Sequence, residues 1–482
     1  MNIITSLITS IFELVEKLLR FSFEFLEASY SAIPKRNEGY NAQFAPPSKI
    51  LSKRESGFCL TGNRNISRQL AFQNAIAIGG TGSGKSSVIL LPSLYTMSGS
   101  FIVHDPSGEL HSKSSGYLNS KGYEVKVLNF SNPSVSVFYN PLARANTNSE
   151  IQKVASMLVF AGQDGKSTDP FWNTQAVALL TLLITILKTQ EEECQNLYNV
   201  RHLLNEMGGN PKSVDALFSR YADPVTFSEY KSFIAYDEKI VSGVIASCKA
   251  SLQTFADLAI ALVTSKDTLD MAEFRSKPIA LFIQNSIADQ RYYSTLTSIL
   301  FEQFFSYLLS RFPSKKEQDI YLLIDEASSL NLPTLPLAVA NCRKHSSGIL
   351  ILLQDFNQLI HNYGKYNADA IRANCTTKMF FTGLSHEQTK ELEATLGKFE
   401  YEDEKKHKAI RPLLTNDEIR TLKSNQALIL SGNNNPMLVS LKPYYKKAEY
   451  RKYSEIPPVE SMHHEMSDSI PLLILPEIKN AA

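Results

Sequence analysis

The chain has 482 residues, 43% of them apolar and 20% charged, with a formal net charge of +1. That length exceeds one small core and implies two or three domains of an ordinary folded protein. The balanced charge gives no global sign of binding to DNA, RNA or an acidic membrane surface, and leaves room for a local basic patch. The five cysteines (Cys59, Cys194, Cys248, Cys342, Cys375) show no paired spacing. They read as reduced thiols of a cytosolic protein, not as a disulfide or zinc framework.

Along the chain, residues 1–30 read as an amphipathic N-terminal helix. Ile4, Leu7, Ile8, Ile11, Leu14, Val15 and Leu18 recur at helical spacing, and charges interrupt the run from Glu13 onward, so it is too broken to span a bilayer. It packs on a protein surface or lies in a membrane interface. Residues 31–56, with Pro34, Pro46-Pro47 and several charges, read as a linker or arm. A nucleotide-binding domain is expected over 57–145 and 271–445. Its strands are the apolar runs Ala75–Ile78, Phe101–His104, Val125–Leu128, Pro278–Ile283, Ile320–Ile324, Gly348–Leu353, Met379–Thr382, Ala427–Leu430 and Met437–Leu441. Short continuous apolar runs alternating with helical segments predict an α/β fold with a mostly parallel sheet. Residues 146–270 lack strand signals and read as an inserted all-α domain, with helices over Ile151–Phe160, Trp172–Leu187, Asn199–Met207, Pro211–Tyr221 and Val241–Val263. The run Ala176–Leu187 reads as a buried helix. Residues 446–482 form a tail whose patch Pro471–Pro476 docks on the body or is offered to a partner. Tyr444-Tyr445-Lys446-Lys447 and Tyr450-Arg451-Lys452-Tyr453 interleave aromatics with bases, as a solvated segment or as a single-strand binder does.

The chemistry concentrates at Gly79-Gly80-Thr81-Gly82-Ser83-Gly84-Lys85-Ser86. A strand precedes it and a helix opening at Ser87 follows, the context of a phosphate-binding P-loop. The glycines let backbone N–H groups turn inward, and the helix N-terminus favours an anion. Lys85 is placed to reach the β- and γ-phosphates of ATP and the Ser86 hydroxyl to hold Mg2+. The strand Ile320–Ile324 ends in Asp325, expected to orient the Mg2+ shell, and Glu326, expected to polarise the attacking water. The strand Gly348–Leu353 ends in Gln354, which either senses the γ-phosphate and positions water or serves as a helix cap or turn residue. Arg343 is a candidate arginine finger, with Arg372 behind it.

In joint order these motifs resemble the type IV coupling proteins, the TraG/TraD-like conjugative DNA-translocating ATPases of type IV secretion. The similarity is carried by Gly82–Ser86 with Leu91-Pro92, Asp105-Pro106-Ser107-Gly108-Glu109-Leu110, Asn140-Pro141-Leu142, Asp169–Trp172, Leu323–Ala327, Gln354 with Gln358-Leu359 and Tyr363-Gly364, Asn374, Leu396-Gly397, and Arg411–Thr415. Ser107 stands where that family usually has lysine. The usual pair of N-terminal transmembrane helices is replaced by the amphipathic segment, which makes this a soluble variant. The resemblance implies a RecA/FtsK-like P-loop fold and a homohexamer with ATP at subunit interfaces. It implies single-stranded DNA driven through a central channel, a relaxase as the attached cargo, and type IV secretion inner-membrane components as docking partners. It also implies a cytoplasmic location peripheral to the inner membrane, through those partners or the N-terminal helix. An FtsK/HerA-like DNA pump and a nucleotide-dependent recruitment adaptor with little hydrolysis are the alternatives.

Overall fold

The structure is a computed structural model that describes residues 40–160, 170–285, 289–402, 407–460 and 469–476. The helix expected over 1–30, the arm as far as residue 39, Asp169 and residues 403–406 lie outside that set. The chain divides into two compact units, Phe44–Thr389 with Arg420–Ala482, and Met1–Gln43 with Lys390–Ile419. Eleven strands are described: β1 Ala75–Ile78, β2 Ser100–His104, β3 Glu124–Asn129, β4 Ile279–Gln284, β5 Ile320–Ile324, β6 Ser347–Leu353, β7 Thr377–Phe380, β8 Lys398–Glu402, β9 Lys408–Pro412, β10 Gln426–Ser431 and β11 Met437–Ser440.

In the larger unit nine of them form one sheet in the order β11-β10-β7-β1-β6-β5-β2-β4-β3. Strands β1 to β7 are mutually parallel, and β10 and β11 run antiparallel at one edge. The fold is therefore α/β with a mostly parallel sheet, as the sequence predicts. Every residue of β1, β2, β5 and β6 is buried, which is why these strands read as unbroken apolar runs rather than alternating ones. The chain enters at β1 and later places β6 on one side of it and β7 on the other. That reversal leaves a crevice beyond the carboxyl end of β1, where ligands of open α/β sheets bind.

Between β3 and β4 the described residues contain no strand. The α-helices are Asn148–Phe160, Pro170–Leu187, Leu197–Gly209, Pro211–Tyr221, Pro224–Ile234, Glu238–Ser251, Leu258–Val263 and the single turn Glu273–Ser276. Two differ from the sequence reading. Pro224–Ile234 was not expected, although Asp223 caps it by accepting from the Val225 and Thr226 N–H groups. The single helix expected over Val241–Val263 is broken, because Asp257 starts a new one by accepting from Ala259 N. Pro170–Leu187 is long and apolar enough to cross a membrane by composition, and 56% of it is buried inside the protein.

The ends of the larger unit are held to its body. Ala45 N donates to Pro436 O, and Leu51 is buried, so the packed region begins before Gly57. At the other end Asn199 accepts from Leu473 N and donates to Pro471 O, which docks the apolar tail patch on the helix Leu197–Gly209. The aromatic-basic run is also committed. Tyr453 stacks on Tyr117 with centroids 4.0 Å apart, Tyr450 packs against Tyr95, and Lys447 lies over the Tyr450 ring. This segment is neither wholly solvated nor a free stacking platform. In the smaller unit β8 and β9 form a two-stranded antiparallel hairpin extended by the Asn41 to Phe399 bridge.

Candidate nucleotide site

The P-loop leaves β1 between its two neighbours. Gly79 N donates to Leu353 O at the end of β6, and Gly80 N donates to Thr382 O just past β7. A Cβ on Gly79 would lie 2.4 Å from the Phe381 Cβ, so only glycine admits this close passage. Gly82 and Gly84 have φ of 73° and 89°, a region open to glycine at little steric cost. The N–H groups of Thr81, Gly82 and Gly84 have no protein acceptor among the described residues. Ser83 N instead closes the turn onto Gly80 O, and the Ser87 hydroxyl donates to Gly84 O. The helix that follows, Ser86–Thr96, starts with a π-wound turn over Ser86–Leu90. Pro92 has no N–H to give Val88 O, and the wider turn accommodates it.

Lys85 donates to Gly79 O and Gly80 O, curling back over the loop. Burial lowers its pKa, against the pull of Asp325 and Glu326. The Ser86 hydroxyl donates to Asp325 Oδ2 at 3.1 Å, joining residues 239 apart in sequence. Burial pushes the Asp325 carboxyl up to about 6, with the Ser86 hydrogen bond and Lys85 opposing. An amine, a hydroxyl and a carboxylate thus meet at the mouth of a loop with uncommitted N–H donors, a donor set that fits a triphosphate with a hard divalent cation.

Glu326 sits in the left-handed region, φ 56° and ψ 55°, a strained setting for a residue with a side chain. Three contacts hold it there. The neutral His104 imidazole, its pKa lowered to about 4 by burial, donates from Nδ1 to the Asp325 carbonyl. Gln354 Nε2 donates to Glu326 Oε1 at 2.9 Å. The Ser329 hydroxyl donates to Glu326 O. Gln354 is not the helix cap. Asp355 is, in a capping box with Gln358 on the helix Phe356–Asn374. Gln354 is thereby free to hold the carboxylate, an arrangement that follows from β6 lying between β1 and β5.

Asp105 caps the helix Glu109–Ser120, accepting from Leu110 N and His111 N, and burial raises its carboxyl to about 6. Ser107 is exposed and accepts from Glu109 N. Arg343 is exposed and precedes β6, at the amino end of the parallel strands whose carboxyl end carries the P-loop, so it does not join this chain's own site. Arg372 stacks over Phe356 and pairs with Asp369. His104 was missed in the sequence. Its only signal was its place at the end of a buried strand beside the acidic motif.

The family model described as "Type IV secretory system Conjugative DNA transfer" matches residues 35–469. Protein VirD4 of Agrobacterium fabrum (strain C58 / ATCC 33970) is 20% identical over 410 residues, covering 79% of this chain and 60% of that protein. Conjugal transfer protein TraG of Escherichia coli is 23% identical over 322 residues, covering 61% of this chain and 50% of that protein. The chain thus spans about half to three fifths of the length of these curated relatives. Among solved structures, the plasmid coupling protein TrwB in complex with ADP and Mg2+ superposes with a TM-score of 0.66 at 19% identity, covering 84% of this chain and 95% of that one. The unbound monoclinic form of TrwBdeltaN70 gives 0.67 at 18%, covering 84% and 94%. The latter two establish a shared fold.

Proposed function

This chain belongs to the type IV secretory system conjugative DNA transfer family, and from that premise we propose that it is an ATP-driven coupling motor. In this reading it recruits a relaxase–DNA complex, docks on the inner-membrane components of a type IV secretion channel and drives single-stranded DNA into it. The observation that carries the reading is the Ser86 to Asp325 hydrogen bond, which joins the P-loop to an acidic strand end 239 residues away in the sequence. TrwB structures in complex with ADP and Mg2+ and with the ATP analogue ADPNP support the ligand class.

The residues divide the work as follows. The Thr81, Gly82 and Gly84 N–H groups and the Lys85 ammonium bind phosphate oxygens. Ser86 and Asp325 would hold Mg2+, which supplies positive charge against the phosphates. Glu326 accepts the proton of the attacking water, and Gln354, gripping its other side, fixes the direction in which that carboxylate points. One site per chain leaves transition-state charge on the γ-phosphate incompletely countered. A homohexamer brings a neighbour's Arg343 to it, which suits an exposed arginine remote from its own P-loop.

Steady-state ATP turnover with and without single-stranded DNA tests this. Lys85→Ala and Glu326→Gln are expected to abolish turnover, and Arg343→Ala to lower it at unchanged nucleotide affinity. DNA transfer that survives the first two variants would refute the motor. Turnover indifferent to DNA would favour the recruitment adaptor.

A further inference from the structure

The helix Phe356–Asn374 is broken at Gly364, whose φ of 72° and ψ of 159° leave the helical region. A Cβ added there would meet nothing within 4 Å. On one side of the break Leu359 is buried. On the other, Ala368 and Ile371 are buried. Between these anchors Gly364, Lys365, Tyr366 and Asn367 all stand exposed. Tyr366 is 87% exposed, the most of any tyrosine in the described residues. A ring held this far out, on a knuckle of defined shape, leaves both faces open for stacking on a partner. Asn367 Nδ2 donates back to Tyr363 O, so the knuckle has a defined shape.

The residues just before the break grip the loop that follows Glu326. Asn362 Nδ2 donates to Ser328 O at 2.7 Å, and the Tyr363 hydroxyl accepts from Leu332 N at 3.2 Å. The root of the same helix follows Gln354, which holds Glu326 itself. A load on the knuckle therefore bears on both ends of the segment that sets Glu326.

Resting on the motor reading above, we propose that Lys365 and Tyr366 contact single-stranded DNA, the ring stacking on a base and the ammonium meeting a phosphate, and that this contact sets Glu326 for turnover. The pairing of an exposed ring with an adjacent cation is complementary to a single strand: every base has a π-face, and every linkage carries a negative charge. In the tail, Tyr450 and Tyr453 lack this freedom, being committed to Tyr95 and Tyr117, and Tyr445 is 51% exposed against 87% for Tyr366.

The test is fluorescence anisotropy of labelled oligothymidylate with the full chain, alongside basal and DNA-stimulated ATP turnover and particle mass. Tyr366→Ala is expected to weaken binding by about tenfold, and Tyr366→Phe to leave it unchanged. Lys365→Gln is expected to flatten the salt dependence of log affinity by about 0.7. Both Tyr366→Ala and Lys365→Gln keep basal turnover and lose DNA stimulation. Wild-type binding of the strand with an unchanged Tyr366→Ala affinity overturns this proposal alone. So does a Tyr366→Ala loss that tracks a drop in particle mass, which would make the knuckle a contact between copies of the chain. Wild-type protein that binds no single strand overturns the motor reading, and this one with it.

Discussion

Asp325→Asn should stabilise the nucleotide-free protein while crippling its use of Mg2+. The Asp325 carboxyl is pushed from 3.8 up to about 6 by burial, even after the help of Ser86 and Lys85. Because the unfolded carboxyl ionises first, the folded state carries no penalty below about pH 4 and the whole of it above about pH 6. Roughly two units at about 1.4 kcal/mol each come to about 3 kcal/mol. Asparagine keeps an acceptor for the Ser86 hydroxyl, whose pull is already inside that net shift. The variant should therefore gain about 3 kcal/mol in urea unfolding near pH 7.5, and the gain should vanish near pH 4. Calorimetric titration of the non-hydrolysable ATP analogue should show the opposite sign. Wild-type affinity should depend on Mg2+ and fall by about tenfold per unit below about pH 6, where the carboxyl must lose a proton to bind. The variant should lose both dependences, and comparing the two proteins cancels the nucleotide's own titration. A variant less stable than wild type near pH 7.5, or one retaining the Mg2+ dependence, would refute the reasoning.

Glu302 is buried beside a cavity of about 870 Å³, accepts from Thr334 N, and has its carboxyl raised by burial to about 7. Its charge thus costs stability above about pH 7 and nothing below about pH 4.5, so Glu302→Gln should raise the unfolding free energy in urea near pH 8 by about 3 kcal/mol and leave it unchanged near pH 4.5. Arg275 is buried and donates to the carbonyls of Gln318, His345 and Ser346 and to the Ser347 hydroxyl. Arg275→Met strands those acceptors and should cost about 3 kcal/mol in the same assay. Gly79→Ala puts a methyl against Phe381 and should weaken nucleotide binding more than it lowers the unfolding midpoint, because the loop rather than the core must give way.

The sheet was legible because its strands are buried on both faces. An unbroken apolar run such as Ile320–Ile324 declares itself. The hairpin β8–β9 did not, since Lys398, Glu400 and Glu402 alternate with half-exposed residues and leave no apolar run to see. The P-loop was legible because its geometry is local to eight residues. The bond from Gln354 to Glu326 was not, because it depends on the lateral order of strands, which no run of sequence encodes. For the same reason the tail run, which reads in the sequence as a solvated segment or a single-strand binder, turns out to pack Tyr450 and Tyr453 on Tyr95 and Tyr117. The helix Pro224–Ile234 was recoverable. Asp223 before Pro224 is a start signal of the usual kind.

The site's central claim is that Lys85, Ser86 and Asp325 together receive a nucleoside triphosphate. Isothermal titration of the Mg2+ complex of the ATP analogue into wild type and Lys85→Ala measures it directly. The structure predicts saturable uptake at one site per chain, weakened by about a hundredfold in the variant, whose charge-assisted hydrogen bonds to phosphate are gone. Folded wild-type protein that takes up no nucleotide, or a Lys85→Ala variant that binds as tightly as wild type, would contradict it.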